Sequence, residues 1–366
     1  MLQVETQTLW LFCRPGFEAD AGQELVARAA ELGVFGYFVP GQVPGWVSFQ
    51  APGHGLGAEL LPRLHLSELV FVRDWVMELA RLELPGGDRV GSVLEALREE
   101  VDVFPFERLE VHVPAEGAPD DLARFARKWT SPLARALRDT GWLVPREESP
   151  VNLPRLDILL PSFEQALLCA SPQGNRSPFV GGVPRLRFPP SAPSRSTLKL
   201  EEAWKLFIPE EHWYELLGGG RHAVDLGASP GGWTWQLVKE GMLVTAVDNG
   251  PMDEALMASG HVEHVRADGF TWRPRRAVDW LVCDIVDKPA RVADLIAGWF
   301  EDGLCRYSVF NLKLPMKQRQ QAWENCRDRL LACTALNAPD IRLQARQLYH
   351  DREEITCFVG PDLRRS

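Results

Sequence analysis

No run of roughly 18 apolar residues free of charge occurs in the chain, which excludes a membrane-spanning helix. Also missing is any C-x-x-C pair: the seven cysteines stand apart at Cys13, Cys169, Cys283, Cys305, Cys326, Cys333 and Cys357. That odd, unpaired set argues against a disulfide framework and a zinc site, and predicts reduced, buried thiols in a cytoplasmic protein. The eight histidines lack metal-ligand spacing; His261 and His264 are the nearest pair, read as surface, and no metal is expected. Met1 to Phe12 has no basic run and carries Glu5, so a secretory leader is not expected. An excess of positive charge is absent too, since 40 Lys+Arg face 50 Asp+Glu for a net charge of −10. Globally that speaks against a nucleic-acid partner.

What is present is an ordinary globular composition, 45% hydrophobic and 25% charged, over 366 residues, enough for two or more domains. The charge is unevenly spread. Residues 1–173 hold 15 Lys+Arg against 25 Asp+Glu, whereas residues 174–366 hold 25 of each. Between them, Gln173 to Arg195 carries Pro178, Pro184, Pro189, Pro190, Pro193 and the pair Gly181-Gly182, and reads as a linker. The predicted division is therefore 1–172, a linker at 173–195, and 196–366.

The C-terminal half alternates strands and helices. Strands are expected at Ala223–Leu226, Leu243–Val247, Trp280–Val286, Tyr307–Leu312 and Glu354–Val359, with helices at Trp235–Glu240 and Ala290–Phe300. Such alternation implies an α/β fold with a mostly parallel sheet, whose ligands gather at the carboxyl ends of the strands. The N-terminal half reads as α+β. Its expected strands are Leu9–Cys13, Trp46–Phe49, Glu107–Val113 and a possible pair, Leu153–Leu160 and Gln165–Cys169. Its expected helices are Ala19–Leu32, Val90–Glu100 and Asp121–Asp139, the last with a break at Pro132.

The strongest motif is Asp225-Leu226-Gly227-Ala228-Ser229-Pro230-Gly231-Gly232-Trp233, between a strand and a helix. Glycines there let the backbone approach a ligand at a helix N-terminus. A dinucleotide fingerprint needs glycine at 229, where serine stands, so NAD is disfavoured. Asp248 ends the next strand, placed to accept ribose hydroxyls, and Asp268 follows a further short apolar stretch. Together they point to an adenosine-containing cofactor.

Lys199 follows the linker, Lys313 and Asp284 sit at strand ends, and Glu354 begins the last strand. Each alone reads equally well as half of a structural ion pair; four around a cofactor loop suggest chemistry. A lysine at its ordinary value of about 10.4 is a poor base, and burial beside a second cation brings an amine to roughly 7–8. Lys313 so poised would take a proton from a ribose 2′-hydroxyl, with Asp284 and Glu354 orienting the two amines.

The segments Arg195–Glu202, Asp225–Trp233, Asn311–Pro315 and Tyr349–Glu354 resemble S-adenosylmethionine-dependent RNA ribose 2′-O-methyltransferases. With Cys13–Glu18 and Ala345–Glu354 the likeness extends over nearly the whole chain to the ribosomal RNA large subunit methyltransferase M family. The resemblance implies a Rossmann-like methyltransferase domain behind an N-terminal RNA-binding THUMP domain, and 2′-O-methylation of one cytidine in the catalytic region of 23S rRNA. It implies a Lys-Asp-Lys-Glu tetrad at Lys199, Asp284, Lys313 and Glu354, with Lys313 as proton acceptor. Glu354 is chosen over Glu353 because it stands immediately before the strand. Cofactor contacts are implied at Ser196, Ser229, Pro230, Gly231, Gly232, Asp248, Asp268 and Asp284, beside Gly227 of the loop. Some relatives carry cysteine at the position of Ser229, which presents backbone.

Arg124, Arg127, Lys128, Arg135 and Arg138 form an acid-free basic run, and Arg176, Arg185, Arg187 and Arg195 enrich the linker. Phosphate binding explains these clusters better than a solvated face, so Arg124 to Arg138, with Arg185 and Arg187, are expected to contact RNA. The expected partner is 23S rRNA or a large-subunit assembly intermediate, met by a monomer. A catalytically silent RNA-binding factor and a dinucleotide-dependent oxidoreductase are the competing readings, disfavoured by the complete tetrad and by Ser229 respectively.

Overall fold

The computed structural model describes residues 6–41, 43–101, 105–114, 119–145 and 153–363. The first five residues of the stretch read as lacking a leader lie outside them. The chain divides into two compact units, Met1–Val183 and Pro184–Ser366, the boundary falling within the Pro/Gly-rich stretch.

The first unit runs β1 (Thr6–Phe12), α1 (Glu18–Glu31), β2 (Tyr37–Pro40), β3 (Trp46–Pro52), β4 (Asp74–Glu83), α2 (Arg89–Glu100), β5 (Leu109–His112), α3 (Asp120–Asp139), β6 (Arg155–Leu159) and β7 (Gln165–Ser171). Its sheet has the order β2-β3-β1-β4-β7-β6-β5, antiparallel except for β5 with β6. The possible strand pair is β6 and β7, joined antiparallel. β4, without a counterpart in the sequence reading, is central. Its Met77-Glu78-Leu79-Ala80-Arg81 run is rich in helix formers, and pairing with both β1 and β7 overrides that preference.

One feature of this unit corrects the sequence reading. α3 passes through Pro132 unbroken. Pro132 and Lys128 both face solvent, so the carbonyl of Lys128, deprived of its N–H partner, can turn to water. The segment after β7 is fastened to the first unit: Asn175, 7% exposed, receives the amide of Leu66 and donates to the carbonyls of Leu61 and Leu64. Nearby, Arg155 is wholly buried between Asp74 (2.9 Å) and Asp157 (2.9 Å), and Asp157 also meets His112 at 2.7 Å. Asp74 in turn accepts the amide of Ser177, tying residue 177 to the sheet.

The second unit runs α4 (Thr197–Phe207), α5 (Trp213–Leu217), β8 (His222–Leu226), α6 (Gly232–Lys239), β9 (Leu243–Val247), α7 (Glu254–Met257), β10 (Val262–Val265), β11 (Val278–Cys283), α8 (Pro289–Glu301), β12 (Cys305–Lys313), α9 (Arg319–Ala332), β13 (Ile341–Arg346) and β14 (Glu354–Pro361). Its sheet order is β10-β9-β8-β11-β12-β14-β13. The first five strands are parallel, and β14 returns antiparallel between β12 and β13. This is a Rossmann-like sheet in a mixed α/β protein. Trp204, Trp280, Tyr307 and Phe358 pack its core. His264 is half-buried in β10, its Nε2 2.9 Å from the carbonyl of Asp248, and so is not the surface residue expected. All seven cysteines are free, six of them buried. Among the described residues no group of metal-ligating side chains assembles, and no helix is long and apolar enough to cross a membrane.

Candidate active site

The carboxyl ends of β8, β9 and β11 open onto a cleft of about 350 Å³, a volume suited to a small-molecule ligand. Gly227, Ser229, Asp248, Asp268 and Asp284 line it, together with Asn249, Phe270, Ile285 and Val286. Gly227 leaves β8 with φ +78°, and a Cβ there would stand 2.8 Å from the Ile285 side chain, so only glycine lets the chain pass. The Asp248 carboxylate accepts the amides of Ser229 (3.1 Å) and Gly250 (2.7 Å), bending the loop toward the end of β9. Asp268 accepts the amide of Phe270 at 2.9 Å. Pro230, Gly231, Gly232 and Ser196 do not line the cleft. They shape the loop from behind: Ser196 meets Ser194 at 2.6 Å, and a Cβ on Gly232 would collide with both hydroxyls.

Beside the cleft, Lys199 Nζ lies 2.6 Å from Glu354 and 3.5 Å from Asp284. Glu354 starts β14, whose antiparallel course brings its first residue to the rim where the parallel strands end. There it pairs in register with Lys313, the last residue of β12. Glu353 turns the other way and holds Arg319 at 2.8 Å. Burial works against the charge on Lys199, but Asp284 and Glu354 outweigh it and its pKa is raised. Burial pushes Asp284 up, opposed by Lys199 and by a hydrogen bond from Asn311. The expectation of a buried Lys313 is not met. Its side chain is exposed and has no ion-pair partner among the described residues, because β12 ends there in solvent.

Residues 192–297 match the model of the FtsJ-like methyltransferases, residues 6–76 that of the RlmM ferredoxin-like domain, and residues 88–171 that of the ribosomal RNA large subunit methyltransferase M N-terminal region. The ribosomal RNA large subunit methyltransferase M of Marinobacter nauticus is 56% identical over 96% of this chain and 99% of its own. The chain belongs to the ribosomal RNA large subunit methyltransferase M family. Proteins of the same name from Pseudomonas putida (strain GB-1) and Azotobacter vinelandii are 46% and 47% identical over 96% of this chain, and 97% and 98% of theirs. As a member of this family the protein is a methyltransferase.

Neither the apolar wall of the cleft nor Asn311, which bonds Asp284 at 2.7 Å, was legible as part of the site in the sequence. Strand periodicity was the available signal, since Asn311 stands two residues before Lys313 on the same side of β12. The basic run lies on α3, with Arg124, Arg127, Lys128 and Arg135 exposed and Arg138 half-buried. The five occupy an arc of about 100°, opposite the buried Leu122, Ala126, Trp129, Leu133 and Leu137. Arg124 is partly offset by Asp121 at 2.8 Å. Arg185 and Arg187 are exposed in the second unit, whereas Arg176 is consumed by Glu107.

Proposed function

We propose that the chain methylates the ribose 2′-hydroxyl of a cytidine in the peptidyl transferase region of 23S rRNA, using S-adenosylmethionine. The observation that carries this is the Lys199–Asp284–Glu354 cluster at the rim of a glycine-shaped cleft, with Lys313 opposite Glu354. The names of the relatives support the large-subunit RNA, and the family resemblance supplies the cytidine.

The cleft suits the cofactor. Gly227 clears the backbone, Asp248 offers a carboxylate at the end of β9 and Asp268 another in the turn after β10, and Phe270, Ile285 and Val286 supply an apolar wall. Gly227, Ser229, Asp248, Asp268 and Asp284 would hold S-adenosylmethionine, which supplies an electrophilic methyl group when bound. Lys199, kept cationic by two carboxylates, fixes the ribose oxygen and favours its developing negative charge. Lys313, uncommitted, accepts the hydroxyl proton, and the docked nucleotide supplies the burial that the free protein withholds from this amine.

In this reading residues 1–172 are a THUMP-containing RNA-binding region, 173–195 a linker and 196–366 the methyltransferase domain. Arg124, Arg127, Lys128, Arg135, Arg138, Arg185 and Arg187 meet phosphates of the rRNA or an assembly intermediate, in the cytoplasm. The test is mass mapping of 2′-O-methyl groups in 23S rRNA from cells with and without the protein. One methylated cytidine should disappear with it, and an unchanged map would overturn the proposal. S-adenosylhomocysteine should raise the melting temperature and NAD should not.

A further inference from the structure

The charged cluster has a buried extension on the far side of Asp284. Asn311, 3% exposed, donates from Nδ2 to Asp284 Oδ1 at 2.7 Å. Its Oδ1 accepts from Thr356 Oγ1, also at 2.7 Å. Thr356 is fully buried two residues beyond Glu354, and the β12–β14 register sets it opposite Asn311 through Thr356↔Asn311 pairing. Beyond it, both carboxyl oxygens of Asp351 lie 3.1 Å from Thr356 Oγ1.

A threonine hydroxyl has one proton to give. With the Asn311 nitrogen committed to Asp284, the Asn311 oxygen must accept, and the Thr356 proton goes to it. The contact between Thr356 and Asp351 then calls for a proton on the Asp351 carboxyl. Asp351 is 1% exposed, and burial pushes it well above the usual carboxylate range, against the pull of Lys199 and of the Leu348 amide; that amide donates to Oδ2 at 2.9 Å, so Oδ1 is the oxygen left to carry the proton. Every donor in the chain thus points the same way, from Asp351 through Thr356 and Asn311 to Asp284.

We infer that Asn311, Thr356 and Asp351 are a positioning relay that fixes the plane of the Asp284 carboxylate. One oxygen is held by Asn311 and the other, 3.5 Å from Lys199 Nζ, is left facing the amine. The torsion that turns a carboxylate is soft, so without this anchor Asp284 can rotate and draw Lys199 away from Glu354. None of the three touches the reacting atoms. Their effect on rate rests on the methyl-transfer reading, whereas the hydrogen-bond chain does not.

The test has two arms on the full-length protein. In the first, asparagine is labelled with 15N and exchange of the Asn311 side-chain amide protons is followed. Exchange should be slow in the wild type and in Thr356→Ser, and fast in Thr356→Val. In the second, methyl transfer to rRNA is measured with the affinity for S-adenosylhomocysteine. Asn311→Ala and Thr356→Val should lose roughly tenfold to a hundredfold in kcat, with KM for rRNA and inhibitor affinity within about threefold of wild type. Thr356→Ser should restore kcat. Asp351→Asn, whose amide can donate where the carboxyl did, should retain most of it, and Asp351→Ala should not. Fast exchange in the wild type, or normal kcat in Thr356→Val, would overturn the relay. Slow exchange with no methyl transfer by the wild type would support the relay and sink the functional reading instead.

Discussion

Two lysines that look alike in sequence have opposite surroundings. Lys199 is clamped by two carboxylates and its proton is held more tightly than in water, so it is suited to carry charge and not to take a proton. Lys313 is exposed and has no ion-pair partner among the described residues, and in the proposed reaction it takes the proton. Lys313→Ala should lower kcat by roughly 10²–10⁴ with cofactor affinity unchanged, as measured by methyl transfer and by titration with S-adenosylhomocysteine. Lys313→Arg should be equally inactive because a guanidinium does not give up its proton; normal turnover would show that the residue only attracts the hydroxyl. Glu354→Gln should impair kcat, whereas Glu353→Gln, which weakens the contact with Arg319, should not. Asp225 makes a different prediction. Burial, partly offset by a hydrogen bond from Thr234, raises its pKa from 3.8 to about 7. The folded state therefore binds more protons than the unfolded chain between these values, and stability falls as pH rises through that window. Melting temperatures of Asp225→Asn should gain on the wild type from pH 3.8 to about 7, and parallel curves would show that the carboxyl is not the cause.

At the scale of elements, direction decides the site. β14 runs against the parallel strands, so its first residue, not its last, shares their carboxyl rim, and Glu354 comes to stand by Lys313. The sequence could mark Glu354 as the start of a strand, but only pairing with β12 gives the strand its sense. Propensity misled in two places: β4 hides in helix-forming residues, and α3 absorbs Pro132 because its solvent face tolerates a lost hydrogen bond. The first sheet also buries a charged network whose members lie far apart in sequence. Arg155 serves Asp74 and Asp157 at once, and burial drives Asp74 up while the His112 and Arg155 contacts hold Asp157 down against its own burial. Arg155→Leu should destabilise the protein by about 3–5 kcal/mol in urea denaturation, since two carboxylates lose their buried counter-charge. A loss below about 1 kcal/mol would mean that the network relaxes into solvent.

Across the whole molecule, net charge is a poor guide to partners. The acidic half carries the helix whose five cations share one face, and in the proposed reading that local arrangement sets the field an RNA phosphate meets. Changing Arg127, Lys128 and Arg135 together to Gln should raise the KM for rRNA and leave S-adenosylhomocysteine affinity intact. It should also flatten the dependence of RNA binding on salt, lowering the slope of log affinity on log salt by roughly two to three. An unchanged slope would remove α3 from the RNA surface.

The sequence by itself determined the parallel sheet of the second unit, the glycine loop and the identities of the charged residues around it. These follow from local pattern: apolar runs of strand length, glycines at a strand-to-helix turn, and acids or lysines at strand ends. What it could not determine is anything that depends on which segments lie side by side. Burial separated the clamped Lys199 from the exposed Lys313, and strand register joined Asn311 to Thr356 and Asp284. Proximity and solvent access are properties of the folded chain, and they, more than residue type, set which group keeps a proton and which gives one up.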